Sequence, residues 1–385
     1  MKSAAVAETL VVAGLSARAL AESAAQGGWR VVALDLFGDT DTRRASAHWL
    51  PIGDAASLAI DGPALCDALA AVARLPGVVG WVAGSGFEAA PEWLDAAPSS
   101  LPLLGMGSAA VRALREPQHF FATLTRLGFA HPPTLFDAPS DTAGWLVKRF
   151  GGSGGWHIRA AAHAGAPHAD SCYQRELDGV PMSALFLADG RHARIVALNR
   201  LIVRPLGSHP HVYRGAIGPI HDPRLQDRVD TALAALVPAF GLRGLASLDF
   251  IAAGAVPHIL EINPRPSASM VLHAAALPAG LLRAHVDALR GALPAQARHP
   301  AGLRGTEILF ASHRGSVSPA VAATLAALPY CHDLPAAGSA FNAGDPVCSV
   351  SAGGADADAV ERGLRDRLAA IASLLAQRVT EPHAT

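Results

Sequence analysis

The chain is poor in charge. Only 16% of its 385 residues are Asp, Glu, Lys or Arg, and the net charge is −1. No broad basic field exists to hold a polyanion, which excludes a general nucleic-acid binder. No apolar run reaches the length of about 20 residues that a membrane-spanning helix needs. Met1 to Val6 carries one lysine and no cleavage site before the first strand-like run, so a cytoplasmic protein is expected. The four cysteines, Cys66, Cys172, Cys331 and Cys348, form no CxxC pair and read as small buried hydrophobes or unreactive thiols. Seventeen histidines include His157, His163 and His168, and the pair His209 and His211, but no HExxH or Cys/His framework. A zinc site is therefore not expected, and His209-Pro210-His211 reads as a loop near a cleft. Tandem repeats and low-complexity linkers are also missing.

Apolar residues make up 51% of the chain, enough with this length for roughly two to four packed units. Leu10 to Gly14 reads as a buried strand, Ser16 to Gln26 as a helix stopped by Gly27-Gly28, and Arg30 to Asp35 as a second strand. Strand, helix and strand at this spacing form a parallel βαβ unit. Gly14 to Arg18 departs from GxGxxG, so a dinucleotide site is not supported. Asp35 and Asp39-Thr40-Asp41 follow the second strand, where they either meet a substrate or cap a helix. Val78 to Ala83 is another strand. Its Gly84-Ser85-Gly86 exit is either an acceptor contact or a tight turn. Glu116 to Leu127 reads as a helix ended by Gly128. Gly305 to Phe310 and Pro346 to Val350 read as strands, and Asp356 to Gln377 as a closing helix.

Three segments carry chemistry. Leu248-Asp249-Phe250 and Ile259-Leu260-Glu261-Ile262-Asn263-Pro264-Arg265 read as antiparallel strands joined by the Ala252 to Ala255 turn. Glu261 and Asn263, two apart, face one side of a strand, and Asp249 can meet them from its neighbour. Two carboxylates and a carboxamide are hard oxygen donors suited to Mg²⁺. Arg265 adds a permanent positive charge. The second segment is Trp145 to Phe150 with Lys148 inside it, followed by Gly151-Gly152-Ser153-Gly154-Gly155. Four glycines in five residues free the backbone to approach phosphate oxygens. The Lys precedes the glycines, so the order is not that of a P-loop. The third segment, Gln174-Arg175-Glu176-Leu177 with Gly179, reads as a strand and turn whose backbone can meet an adenine edge.

Taken in order, these segments resemble the ATP-grasp superfamily from about Val11 to Val350, and most of all its predicted ATP-dependent carboligases. Arg200, Tyr213 to Pro219 and Gly244 also resemble that group. The resemblance implies an α/β ATP-grasp fold with an N-terminal Rossmann-like domain over 1–105. It implies an ATP-grasp core over 106–300, with a lid near 140–180, and a small β-rich unit with its closing helix over 301–385. It implies Mg²⁺ on Asp249, Glu261 and Asn263. ATP is then held by Arg115, Lys148, Gly152, Ser153, Gly154 and the linker residues Gln174, Arg175, Glu176 and Leu177. Lys148 and Arg265 are the implied catalytic residues.

Departures are specific. Arg115 stands where the family usually has a Lys for the α-phosphate. Arg175 stands where many members have Glu. Ser247 stands where many ligases have Arg, so Arg265, Arg200 and Arg204 must supply charge for the transferred phosphoryl group. The implied activity is an ATP-dependent ligase joining a carboxylate to an amine through an acylphosphate. The carboligase resemblance points to amino-acid attachment, such as glutamate, in one-carbon-carrier cofactor biosynthesis of methanopterin or methylofuran type. Its partners are small molecules, with a homodimer compatible. A small-molecule kinase and a non-catalytic ATP-binding regulator are the alternatives. Retention of both acids, Asn263 and Lys148 argues against the regulator. Acceptor contacts are expected at Gly14, Asp35 and Gly84-Ser85-Gly86.

Overall fold

The computed structural model describes residues 8–164 and 169–376, so His168 and Gln377 lie outside the described residues. β1 (Thr9–Ala13), α1 (Arg18–Gln26) and β2 (Arg30–Asp35) form the expected βαβ unit. α2 (Thr40–Ala45) leads to β3 (His48–Pro51). The ribbon of β4 (Gly53–Asp54) and β5 (Ala59–Ile60) precedes α3 (Gly62–Val72) and β6 (Val78–Ala83). The four long strands make a parallel sheet in the order β3-β2-β1-β6. β1 is buried on both faces, as a parallel sheet with packed faces requires. Val11 joins a core with Leu34, Trp81, Phe186 and Phe250, while Leu10 and Val12 join another with Leu185 and Leu245. The N-terminal sheet is therefore fused to the rest of the molecule through shared cores.

α4 (Ser108–Arg115) and α5 (Pro117–Leu127) follow. Glu116 caps α5 by accepting from the backbone N–H groups of Gln118 and His119, and Gly128 ends it at φ 77°. β7 (Thr134–Leu135), β8 (Trp145–Arg149), β9 (Ile158–Ala160) and β10 (Ser171–Arg175) form a small sheet in the order β7-β10-β8-β9. The large sheet begins with β11 (Val180–Asp189), β12 (Ala193–Leu206) and β13 (His209–Ile220). α6 (Pro223–Phe240), β14 (Arg243–Ala253), β15 (Val256–Asn263) and α7 (Leu281–Leu289) continue it. The C-terminal part of the chain holds β16 (Leu303–Phe310), β17 (Gly315–Ser316), α8 (Pro319–Ala327), β18 (Cys331–His332), β19 (Ala340–Phe341), β20 (Pro346–Gly354) and α9 (Ala357–Ala376), with β17 and β19 paired as a separate ribbon. The sheet order is β15-β14-β11-β12-β13-β16-β20-β18, so the C-terminal strands extend the same sheet as β14 and β15. β13 and β16 approach so closely that a Cβ on Gly215 would lie 1.9 Å from the Thr306 carbonyl oxygen.

Two expectations change here. His209-Pro210-His211 opens β13 and is not a loop, because β12 and β13 pair almost to their ends. Cys66 is exposed, whereas Cys172, Cys331 and Cys348 are buried as expected. No helix among the described residues is long and apolar enough to cross a membrane.

A polar seam joins the N-terminal sheet to the C-terminal strands. Arg18, 6% exposed, donates from Nε to Asp333 Oδ1 at 2.7 Å and from Nη1 to Glu22 Oε2 at 2.9 Å. Asp41 accepts from the backbone N–H groups of Asp333 and Leu334 at 2.8 and 3.0 Å. Asp39 stands at the N-terminus of α2, yet its carboxylate caps nothing. Burial, then Asp333, Asp35 and Asp41, push that carboxyl from 3.8 up to about 8, with Arg18 opposing. The folded value lies above the unfolded one, so the fold favours the protonated form. That contribution is full below about pH 3.8 and is lost as pH rises to about 8. Asp39→Asn keeps the neutral shape. It is expected to melt with the wild type near pH 4 and above it by a margin that widens toward about pH 8. Melting curves across this range check it; a margin that does not vary with pH contradicts a buried, unpaired carboxylate.

Candidate active site

A cleft of about 1510 Å³ lies between the small sheet and the large one, and it extends to the polar seam. At its floor β14 and β15 pair with Asp249 opposite Glu261 and Ser247 opposite Asn263. The register shifts between Asp249 and Phe250, because Phe250 pairs with Ile259 and Leu260 is an extra residue. Without this bulge Leu260 would oppose Asp249, and Glu261 would turn to the other face of the sheet. The three expected metal ligands therefore converge. Asn263 Nδ2 donates to Asp249 Oδ2 at 3.0 Å and to Glu261 Oε1 at 3.1 Å.

Arg115, the last residue of α4, enters this group. Its Nη1 donates to Glu261 Oε2 at 3.0 Å and its Nη2 to Asn263 Oδ1 at 2.9 Å. The residue expected on the α-phosphate thus sits on the metal ligands, with its buried Nε unpartnered. Burial works against ionised Glu261, but Arg115, then His157 and Lys148, hold its carboxyl below the usual range. Asp249 is pushed up to about 7, first by burial and then by Glu261. The pair holds more negative charge than one guanidinium relieves. Two carboxylates and an amide fit Mg²⁺ in kind, but the amide here gives Nδ2 to the carboxylates and Oδ1 to Arg115, so its oxygen meets a metal only once the amide turns. Among the described residues no group of three His, Cys, Asp or Glu could hold a metal, since the third donor here is an amide.

The small sheet forms the opposite wall. Lys148 pairs across from Cys172, and its Nζ donates to Gln174 Oε1 at 2.5 Å. Burial lowers its pKa, opposed by Glu261 and Asp249. The loop from Gly151 to Gly155 lies against β13. Tyr213 N–H donates to Gly154 O at 3.0 Å. A Cβ on Gly155 would lie 1.8 Å from the His211 oxygen, and its φ is 81°. A Cβ on Gly152 would lie 2.0 Å from the His157 ring. The close approaches these two glycines permit are thus to the protein's own strand and ring, while Gly152, Ser153 and Gly154 still line the cleft.

The linker is partly committed within the protein. Arg175 N–H donates to Pro133 O at 2.8 Å and Glu176 N–H to Gly144 O at 3.0 Å. The exposed Arg175 side chain turns away to Ala143 O at 2.7 Å. Glu176 Oε1 meets His211 Nε2 at 3.1 Å. Carbonyl groups and the Leu177 N–H are what this segment can offer a purine.

Arg265 lines the cleft and donates from Nε to Glu88 Oε1 at 2.5 Å. Glu88 Oε2 accepts from Gly86 N–H at 2.7 Å, which ties the Gly84-Ser85-Gly86 turn to Arg265. Burial opposes the charge on Glu88, yet Arg265 and Arg115 hold its carboxyl at about 2. Asp35 is a correction. It is 0% exposed, accepts from Ala17 N–H, Phe37 N–H, Gly38 N–H and Trp49 Nε1–H, and does not line the cleft, so it shapes the turn after β2. Arg200 and Arg204 are also corrections. Arg200 pairs with Glu361 of α9 and Arg204 with Glu307, and neither lines the cleft. Arg265 is left to supply the charge expected of all three.

Sequence reasoning missed Glu88 and His157. His157 faces the cleft with Nδ1 unpartnered, pushed down to about 4 by burial. Tyr213, noted only by resemblance, has a buried, unpartnered hydroxyl, and burial keeps it protonated. One signal for Lys148 was available in composition: the chain has two lysines, Lys2 and Lys148.

Comparison with known proteins bears on this geometry. Residues 118–269 match the model of the ATP-grasp domain. No curated protein matches the chain. Many solved structures share its fold, among them the following three. N5-carboxyaminoimidazole ribonucleotide synthetase from Thermus thermophilus is 18% identical with a TM-score of 0.66, over 98% of this chain and 100% of that one. Biotin carboxylase from Campylobacter jejuni, in a β,γ-ATP complex, is 13% identical with a TM-score of 0.69, over 96% and 95%. Phosphoribosylamine–glycine ligase from Thermotoga maritima is 16% identical with a TM-score of 0.66, over 96% of each chain. Residues 118–269 thus match an ATP-grasp domain, and the chain as a whole shares the α/β fold of these structures.

Proposed function

We propose that this protein is an ATP-dependent ligase that joins a carboxylate to an amine. The observation that carries the reading is the convergence of Asp249, Glu261, Asn263 and Arg115 beneath Lys148 and the glycine loop, in one cleft with Arg265. In the first step a substrate carboxylate oxygen attacks the γ-phosphorus of ATP. The bond from that phosphorus to the β,γ-bridging oxygen breaks, ADP leaves, and an acylphosphate forms. In the second step the amine attacks the acyl carbon, phosphate leaves, and the amine loses a proton. Both steps need positioning and charge compensation more than a protein nucleophile.

Mg²⁺ held by Asp249, Glu261 and Asn263 would supply charge compensation for the phosphates. Lys148 holds phosphate oxygens through its Nζ. Arg265, oriented by Glu88, faces the transferred group. The Tyr213 hydroxyl donates a hydrogen bond to an oxygen of the same group. The loop from Gly151 to Gly155 closes the cleft against water. Arg115 neutralises the acid pair, and with Mg²⁺ bound there its guanidinium would be free to serve the nucleotide. The named relatives support this class: one is called a phosphoribosylamine–glycine ligase, and another was solved with a β,γ-ATP ligand. Small-molecule substrates in the cytoplasm belong to the same reading. The pathway reading supported by the carboligase resemblance is attachment of an amino acid such as glutamate to a precursor of a one-carbon-carrier cofactor.

Mg·ATP is expected to raise the melting temperature of the wild type. Ligand at a hundredfold excess over Kd stabilises by about 2.7 kcal/mol. Lys148→Ala is expected to fold and to lose most of this shift. A wild type indifferent to millimolar Mg·ATP overturns the site.

Glu261→Gln is expected to lower ADP formation about 100-fold or more while the apo melting temperature changes little. Asp249→Asn is expected to act in the same direction, more mildly. Single-turnover ADP release checks both, and near wild-type turnover in Glu261→Gln removes the metal assignment. ADP release that requires an amine separates the ligase from a kinase.

A further inference from the structure

The cleft does not end at the nucleotide site. It runs on to the seam of the N-terminal and C-terminal parts, where Arg18, Asp39, Asp333 and Ser349 line it. Three of the acids nearby are fully engaged. Asp35 takes four N–H donors, Asp41 two, and Asp333 takes Arg18 and the Ser349 hydroxyl. Asp39 is different. It is 7% exposed, lines the cleft, and its carboxylate makes no hydrogen bond or ion pair among the described residues. The guanidinium that acts on it, Arg18, is already bonded to Asp333 at 2.7 Å and Glu22 at 2.9 Å, with Asp41 at 3.7 Å.

A buried carboxylate without a partner is costly, and its surroundings here are predominantly anionic. Such a position suits a cation and repels an anion. The lining of the same cleft includes Leu15, Ala19, Phe37 and Leu58, which suit the hydrocarbon body of an organic ligand.

We propose that this corner binds the protonated amino group of an organic amine, the second substrate of the ligase, on the Asp39 carboxylate, which takes one proton from the ammonium so that the free amine can attack, with its apolar body against Leu15, Ala19, Phe37 and Leu58. The inference rests on the ligase reading for the role of the amine. The rise of the Asp39 carboxyl to about 8 is consistent with a site that ionises when a cation arrives. Asp39 is then a specificity residue: an ammonium satisfies it, and an isosteric hydroxyl leaves the negative surroundings uncompensated.

The test uses the full chain at neutral pH and two probe pairs, hexylamine beside 1-hexanol and benzylamine beside benzyl alcohol. Binding is measured by ligand-observed NMR titration, with and without Mg²⁺ and a non-hydrolysable ATP analogue. In the wild type at least one amine is expected to bind at millimolar concentration and about tenfold or more tighter than its alcohol. Asp39→Asn is expected to reduce that preference about tenfold while its melting shift with the Mg²⁺-bound analogue persists. Equal binding of amines and alcohols, no amine binding at all, or an undiminished preference in Asp39→Asn overturns the proposal. The nucleotide-free titration keeps the two readings apart. A wild type that takes amines through Asp39 but ignores Mg·ATP sinks the ligase and keeps the cation site, and the reverse result does the opposite.

Discussion

The constraint on which the site depends is the enforced proximity of two carboxylates. Asp249 and Glu261 stand opposite each other on β14 and β15 in a cleft that shields them from water. Like charges in such a place cannot both stay ionised without a cation. The fold supplies one through Arg115, which bridges Glu261 and Asn263, and Asp249 still holds its proton up to about 7. The group is thus built around a positive charge larger than one guanidinium. Everything else in the cleft is arranged about that point: Lys148 across from it, the glycine loop beside it, Arg265 on the next turn of chain.

The second organising feature is that no part of the cleft belongs to one segment. Arg265 is aimed by Glu88, which also fixes the Gly84-Ser85-Gly86 turn through Gly86 N–H. The Gly84-Ser85-Gly86 turn and Arg265 are therefore coupled by one carboxylate. Asp41 holds the backbone of Asp333 and Leu334, so the C-terminal strands close the far end of the same cleft. Glycines serve this arrangement by allowing contact inside the protein. Gly155 lets the loop lie on the His211 carbonyl, and Gly215 lets β16 lie on β13.

Features dictated by local chemistry were legible in the residues alone. Alternation along a strand put Glu261 and Asn263 on one side, and the strand pattern paired them with Asp249. Cap residues and glycines ended α1 and α5 where expected, because a helix end needs local partners for its unpaired backbone groups. Lys148 stood out as a lysine on an apolar strand. Tertiary structure decided the matters that depend on register and distant partners. The Leu260 bulge sets Glu261 opposite Asp249, and no pattern of polarity marks it. Arg115 was read as a phosphate ligand and found its nearest anions on β15. Arg200 and Arg204 were drawn to Glu361 and Glu307 on elements far along the chain. Asp35 and Asp39, four residues apart, differ completely: one is saturated with donors and the other is bare. A long charged side chain takes whichever counter-charge the packed chain brings within reach, and that choice is made only when the sheets close.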